Sequence, residues 1–405
     1  MKLKHSLVAS LLLTTGANAI DLENLQIYGY GNINYSNYDY VKNTQMLPKN
    51  RNKVDLERFV IISRYMLSDT VTIVSELEYE HGGTGSTMEI ELDEEGGEVE
   101  QEIEKGGEIV LEELNVVVTT DNPWLNYRVG HMLVGVGMVS ARHLPNLYHS
   151  AYYNRSESRI IPTTWHETGL EIFGTFDEKF HYQAQVLTGL NSELFGSAGW
   201  IKEGMQTRFE SVHADNLATV LRLSYGDLTG NQIGFSYYLG DTGDNRNKKQ
   251  LDIDATVQIF SAHGIYSYED LTIRGLFMLG TLSDSLALRN ANKSISPVLR
   301  VRRYDVAKEA IAYFVEAGYD ISKLIGLDDN PLILWGKYDF SDTMHKTVSG
   351  ILEQDYYEES TISGGINYQF SENIMLKTEY ATTALGGKDS KYDMQTFTAS
   401  LAFQF

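Results

Sequence analysis

The side chains that could act on a solute occur as single charges at every second position. Glu76 and Glu78 alternate with Leu77 and Tyr79, Arg222 sits between Leu221 and Leu223, and Lys337 and Asp339 flank Tyr338. Following the same alternation along the chain collects Arg58, Arg64, Glu76, Glu78, Glu113, Arg128, Glu167, Glu171, Arg222, Arg274, Glu316, Lys337, Asp339, Lys377 and Glu379 on the polar faces of their segments. Glu80, Asp252 and Asp254 are read onto the same faces. The long connection 133–163 adds Arg142, His143, His149, Arg155 and Arg159, together with Gly135, Gly137 and several tyrosines. Charges spread in this way do not break bonds. They set a field that biases which ions come near.

Bond-making chemistry finds little support. The chain has no cysteine, which excludes thiolate catalysis, zinc-thiolate sites and iron–sulfur clusters. The histidines are scattered, and His131 and His263 fall on apolar faces. A lone histidine there is more often a packed one than a base. A lipid hydrolase in a membrane needs Ser, His and an orienting group together, and the sequence has no G-x-S-x-G elbow. No enzymatic activity, cofactor or lumenal metal is expected. The 405 residues carry 33 Lys and Arg against 55 Asp and Glu, a net charge of −22. Nothing in that balance neutralises a run of phosphates, so nucleic acid is not a partner.

The elements that carry these charges are strands. In 25–35, Leu25, Ile27, Ile33 and Tyr35 share one parity; in 233–239, Ile233, Phe235, Tyr237 and Leu239 do the same. The C-terminus repeats it with Phe397, Leu401, Phe403 and Phe405 opposite Thr396, Thr398, Ser400 and Gln404. Strict alternation makes a strand with one apolar and one polar face. No segment has the roughly 20 apolar residues of a spanning helix. The mean hydropathy of −0.26 is compatible with a membrane β-barrel, whose alternation hides its apolar residues.

The punctuation decides the architecture. Short turns rich in Asp, Asn, Gly and Pro fall near 68–69, 121–123, 177–179, 227–230, 268–270, 328–330 and 371–373. Longer connections fall near 39–53, 82–107, 133–163, 191–214, 241–249, 282–307, 342–358 and 384–393. Short and long alternate without exception. The fold expected is an all-β, transmembrane, up-and-down antiparallel barrel of about 16 strands, with short periplasmic turns and long extracellular loops. Lipid offers no hydrogen bonds, so every strand edge must be paired and the barrel must close. A soluble β-sandwich would leave the long connections on one side without purpose.

Residues 1–19 read as a secretory signal peptide. Lys2 and Lys4 precede the apolar stretch Leu7 to Leu13, and Ala17-Asn18-Ala19 is a cleavage site. Residues 20–405 are then the mature barrel, exported through the periplasm to the outer membrane of a Gram-negative bacterium.

Several blocks carry a resemblance. The aromatic end at Phe405 is similar to the terminal signal that the barrel-assembly machinery reads, and Ile27-Tyr28-Gly29-Tyr30-Gly31 resembles the first strand of many porins. Leu67-Ser68-Asp69-Thr70, Glu76-Leu77-Glu78-Tyr79, Tyr127-Arg128-Val129-Gly130-His131, Asn154-Arg155-Ser156, Trp165-His166-Glu167-Thr168-Gly169 and Phe314-Val315-Glu316-Ala317-Gly318-Tyr319 are similar to the phosphate-selective porin O/P family. That resemblance implies a homotrimeric channel with an infolded third loop. The basic ladder of its phosphate-binding members is not found here, so anion specificity is not carried over.

The expectation is a porin: a water-filled channel for passive diffusion of ions and small hydrophilic solutes. The segment 133–163 is the candidate constriction, and an external solvated loop is its alternative. The wall charges either bias ion entry toward cations or pair across the wall. A ligand-specific, adhesive or structural barrel without bulk conductance is the alternative function. Outer-membrane lipid and lipopolysaccharide are the expected surroundings, and the basic sixth loop (Arg289, Lys293, Arg300, Arg302, Arg303, Lys308) is either a solvated mixed surface, the favoured reading, or a patch that touches lipopolysaccharide, attracts anionic solutes or pairs with the acidic loop. The acidic stretch 88–104 is either a hairpin turning at Gly96-Gly97 or a mobile acidic loop, and it lacks the ligand spacing of a calcium loop, so specific divalent-cation binding is the disfavoured reading. Trp200, Ile201, Met205 and Phe209 form either a short helix or, the favoured reading, a local loop core.

Overall fold

The computed structural model describes residues 22–40, 48–83, 89–93, 98–102, 107–138, 143–208, 211–228, 230–247, 250–295, 304–327, 330–386 and 393–405. The signal peptide and its cleavage site lie outside the described residues, as do Arg142, Phe209, Arg300, Arg302 and Arg303.

The strands are β1 (Leu25–Tyr40), β2 (Lys49–Ser68), β3 (Val71–Glu80), β4 (Glu89–Asp93), β5 (Glu98–Glu102), β6 (Glu108–Val118), β7 (Asn126–Leu133), β8 (His166–Phe176) and β9 (Phe180–Thr188). They continue as β10 (Leu217–Gly226), β11 (Gln232–Gly240), β12 (Val257–Tyr268), β13 (Leu271–Leu282), β14 (Glu309–Asp320), β15 (Leu332–Lys346), β16 (Glu358–Ser371), β17 (Ile374–Leu385) and β18 (Asp393–Gln404). All but β4 and β5 form one closed antiparallel barrel in which β1 pairs with both β2 and β18. The barrel therefore has the 16 strands expected. Its seam is sealed to the last residue: Gly29 N–H donates to the Phe405 carbonyl at 3.0 Å, and Phe405 N–H donates back at 2.9 Å. Closure leaves no strand edge, as lipid requires.

Alternation places the apolar face outside. Ile27, Leu217, Leu221, Ile233, Phe235, Tyr237, Val315 and Phe397 are all exposed, whereas their polar neighbours Ser236 and Glu316 are buried. Strand by strand, one face meets the surroundings and the other meets the interior.

Five register shifts interrupt the barrel's pairing among the described residues, and two of them re-aim charged residues inside. Asn32 pairs with Arg58 but Asn34 pairs with Asp55, so β2 carries an extra residue. Glu76 pairs with Glu113 but Leu77 pairs with Leu111, so β6 carries another. A bulge sets two residues against one and re-aims the side chains. Glu57 and Arg58 are both buried inside as a result, and Glu112 and Glu113 both leave the outer face.

Part of the interior is packed with apolar side chains rather than lined by polar ones. Val134, Val136, Met138, Ile160, Ile161, Trp165, Leu190, Phe195, Trp200 and Ile201 pack with Val257, Ile259, Leu276, Met278, Ala310 and Ala312 into one apolar core. The cause lies in the wall. On 310–315 (Ala-Ile-Ala-Tyr-Phe-Val) both parities are apolar, so the inner face can bury loop side chains.

The loops supply four further findings. Trp200, Ile201 and Met205 belong to that core rather than to an amphipathic helix; only short 3-10 turns follow them. The second loop pairs β4 with β5 as an antiparallel hairpin, Leu92 opposite Val99. The sixth loop contains the helix α2 (Ser285–Ile295), which periodicity did not reveal. β12 begins only at Val257, so Asp252 and Asp254 lie exposed on a loop and not on the inner wall. Turn-forming residues preceding the strand displaced its start.

Candidate functional site

The connection between β7 and β8 folds into the barrel and follows its inner circumference. It leaves β7 at Leu133 and crosses first toward β10. There Arg222 donates to the Gly137 carbonyl at 2.7 Å, while Gly137 N–H reaches the Ser236 and Ser261 hydroxyls on β11 and β12 at 3.3 and 3.2 Å. Gly137 has φ of +73°, and a Cβ there would collide with the Glu157 carboxylate. Only glycine takes that turn without strain.

Past the undescribed residues 139–142 the chain touches the opposite wall. His143 Nε2 lies 3.2 Å from Glu76 Oε1 on β3. Asn146 donates to Gln404 on β18 at 2.8 Å. The Lys377 ammonium on β17, fully buried, donates to the carbonyls of Tyr148 at 2.9 Å and Ser150 at 3.1 Å, and also to Pro145. Asn367 on β16 donates to the His149 carbonyl at 2.9 Å, and the His149 ring stacks on Trp335. Ala151 N–H donates to Glu379 at 2.8 Å. Backbone polar groups buried in a loop need such partners, and the polar wall supplies them.

A short helix, α1 (Arg155–Ile160), completes the circuit. Asn154 accepts from Lys337 at 2.7 Å and Ser156 donates to Asp339 at 3.0 Å, both on β15. Arg155 and Arg159 both face Glu359 on β16, Arg155 Nη2 at 3.2 Å and Arg159 Nε at 3.9 Å. The sequence reading did not single out Glu359. It stands near the start of β16, one residue past the long connection 342–358.

The remaining wall charges fall into small clusters. Arg58 is 3.3 Å from Glu78 and 3.4 Å from Glu57, and its guanidinium covers the Tyr153 ring at 3.5 Å. Glu57 also accepts from Asn32 and Asn34. Arg274 meets Glu316 at 3.1 Å and Arg128 meets Glu171 at 3.2 Å. Glu167 accepts from the Thr188 hydroxyl at 2.7 Å. His263 points inward and meets Arg222 at 2.9 Å, although its strand had placed it on an apolar face. Arg64 stands exposed near the short-turn end, over the Tyr28 ring at 5.6 Å. Burial drives the His149 imidazole down to about 4. Its Nε2 stands 4.0 Å from Glu316 Oε1.

Glu57 and Glu112 were missed because each sits at a bulge. The signal is present in retrospect. Outward apolar positions run Val54, Leu56 and then Phe59, Ile61; they run Ile109, Leu111 and then Leu114, Val116. A change of parity inside one strand marks an inserted residue.

The infolded segment separates two cavities that share no lining residue. The larger, about 830 Å³, opens toward the long-loop end and is lined by ten carboxylates against six lysines and arginines. The smaller, about 350 Å³, lies toward the short-turn end and is lined by Glu113, Arg128, Arg222 and Gln183 among others. The bulge at Glu112/Glu113 gives one carboxylate to each.

No family model matches the chain. An uncharacterized protein of Aquifex aeolicus is 25% identical over 389 residues, covering 94% of this chain and 80% of that protein. Among solved structures, OmpF of Salmonella typhi, in complex with daunomycin, aligns with a TM-score of 0.57 at 12% identity, over 94% of this chain and 97% of that one. The outer-membrane channel DcaP of Acinetobacter baumannii aligns at 0.56 and 10% identity with the same coverage. The anion-selective porin of Comamonas acidovorans aligns at 0.51 and 9% identity, over 94% of this chain and 99% of that one. The likeness is one of fold, a porin-type barrel. The phosphate-selective O/P branch gains no support from it.

Proposed function

We propose that this chain is an outer-membrane channel of the porin type, passing ions and small hydrophilic solutes passively through a narrowed lumen. One observation carries the reading: a closed barrel, apolar outside, is crossed by the infolded segment 133–163, which leaves a charge-lined cavity at each end. A barrel of 16 strands is wide enough for water, and the infolded loop sets how much of that width a solute can use. The acidic upper cavity draws cations to the mouth. No energy source is required. The trimer implied by the family resemblance would bury part of the outer apolar wall.

A second reading is a ligand-specific or structural barrel without bulk conductance, and the packed apolar core beside the loop favours it. Recording in planar lipid bilayers separates the two. The channel reading expects stepwise conductance, smaller per step than an open barrel of the same strand number. Correctly folded protein that gives no steps would overturn it in favour of the second.

A further inference from the structure

Three ligand-type side chains from three separate elements meet beneath the upper cavity. Glu76 comes from β3, Glu112 from β6 and His143 from the infolded segment, and all three are buried. One donor atom of each lies within 4.8 Å of the other two. His143 Nε2 and Glu76 Oε1 are 3.2 Å apart. Two ligands held at 2.0–2.1 Å on a tetrahedral ion lie about 3.3 Å from each other, so this pair already has the spacing of a chelate.

Glu112 supplies the independent observation. Its side chain is 1% exposed, and its Oε2 has no hydrogen-bond partner. A buried carboxylate oxygen without a partner is costly. The neighbouring cation, Arg58, lies 3.4 Å from Glu57 and 3.3 Å from Glu78, and no hydrogen bond joins it to Glu112 Oε2. The β6 bulge is what turns Glu112 inward, toward the other two. A strand that spends its irregularity on pointing a second acid at a buried acid and a histidine is arranged for a cation.

We propose that Glu76, Glu112 and His143 bind one divalent transition cation of the zinc, cobalt or copper class, and that the ion ties the infolded segment to the wall. One imidazole nitrogen with two carboxylate oxygens suits these borderline ions. Calcium and magnesium take oxygen shells of about six or more ligands. Glu112 also lines the upper cavity, which gives the ion a route from the mouth.

The test uses the full barrel refolded in detergent and stripped with EDTA. Zinc is titrated in by calorimetry, and cobalt by its visible absorption. The expected result is one tight equivalent, with a cobalt spectrum that reports nitrogen and oxygen donors at low coordination number. Glu112→Gln, which keeps the volume, and His143→Ala each weaken binding about tenfold or more. His345→Ala, a histidine at the far end of β15 outside the cluster, leaves it unchanged. Folding of every variant is read from the mobility shift of the unheated barrel, and if His143→Ala does not fold, Glu112→Gln alone decides. Absence of a tight equivalent overturns the proposal. So does an equivalent that survives in the Glu112→Gln/His143→Ala pair, which would assign the ion to the acidic loop 88–104.

Discussion

The ammonium of Lys377 donates to the carbonyl oxygen of Tyr148 at 2.9 Å, with both residues buried. The same nitrogen reaches the carbonyls of Ser150 and Pro145. One wall side chain thus gathers a run of loop backbone that no strand pairs. Lys377→Met keeps the shape and removes the donor. It leaves several buried carbonyls unsatisfied, a loss of about 2–5 kcal/mol. The expected outcome is a barrel that still closes but whose constriction is loose: larger and noisier conductance steps, and a lower temperature of conversion to the slow-migrating form. Unchanged steps and unchanged thermal conversion would show that Lys377 does not hold the loop.

The upper cavity should make the channel lean cationic. Ten of its lining charges are acids and six are basic, and Arg155, Arg58 and Lys53 already face carboxylates. In a salt gradient the reversal potential is expected on the cation side, most clearly at low ionic strength, where screening is weak. Glu80→Gln with Glu108→Gln is expected to move it toward zero. An anion preference in the parent protein would place the selective step in the smaller cavity, where Arg128 and Arg222 stand.

The mouth carries a pH-dependent contact. His81 Nδ1 lies 2.6 Å from Asp55 Oδ1, and that hydrogen bond raises the His81 pKa. Glu80 and Glu57 push in the same direction, burial opposes them, and Lys53 shares the Asp55 carboxylate. Because the native pKa lies above the ordinary value of about 6.5, the attraction is complete below 6.5 and fades as pH rises through the native value. The imidazole is about half exposed, so the effect is screened and serves as a charge switch more than as stability. Histidine NMR of the refolded barrel should find His81 titrating above the other exposed histidines. Asp55→Asn should bring it back.

Trp200 is buried in the apolar core, with its Nε1–H donating to the Ala307 carbonyl at 3.1 Å. Gly280 on β13 makes room for it, since a Cβ there would run into the indole. Trp200→Ala removes one of the core's two tryptophans, at about 3–5 kcal/mol. If this core narrows the lumen, the variant should conduct more per step. Gly280→Val should displace the same ring and act in the same direction. A variant that loses stability but not its conductance value would mean that the core supports the wall without limiting flow.

Much of this architecture was legible in the residues and part of it was not, for physical reasons. The outer face was readable because lipid demands it of every strand: Ile233, Phe235, Tyr237 and Leu239 alternate without error and all four stand exposed. The turns were readable because Asp, Asn, Gly and Pro act locally. The inner face carries no such uniform demand. Arg222 meets a loop carbonyl 85 residues away in sequence and Lys377 meets three, up to 232 residues away, so their partners depend on where a distant loop comes to lie. The apolar core was hidden because Val257, Ile259, Ala310 and Ala312 resemble outward residues in kind. Glu57 and Glu112 were hidden because strict alternation cannot represent an inserted residue.

That last point can be tested by subtraction. In β6 the outward residues are Ile109 and Leu111 before the bulge, and Leu114 and Val116 after it. Removing Glu112 alone would restore strict alternation through Leu111, Glu113 and Leu114. Every apolar residue would keep its side, and Leu77 and Glu76 would face an unbroken ladder. Deletion of Ser236 from β11 is the contrast, because that strand pairs in continuous register with both neighbours. One residue lost there turns either Ile233 and Phe235 or Tyr237 and Leu239 inward. The expected outcome is that the protein lacking Glu112 refolds and shows the heat-dependent mobility of a closed barrel, while the protein lacking Ser236 does not. Equal loss in both would mean that the bulge residue is part of what closes the wall rather than an insertion the wall tolerates.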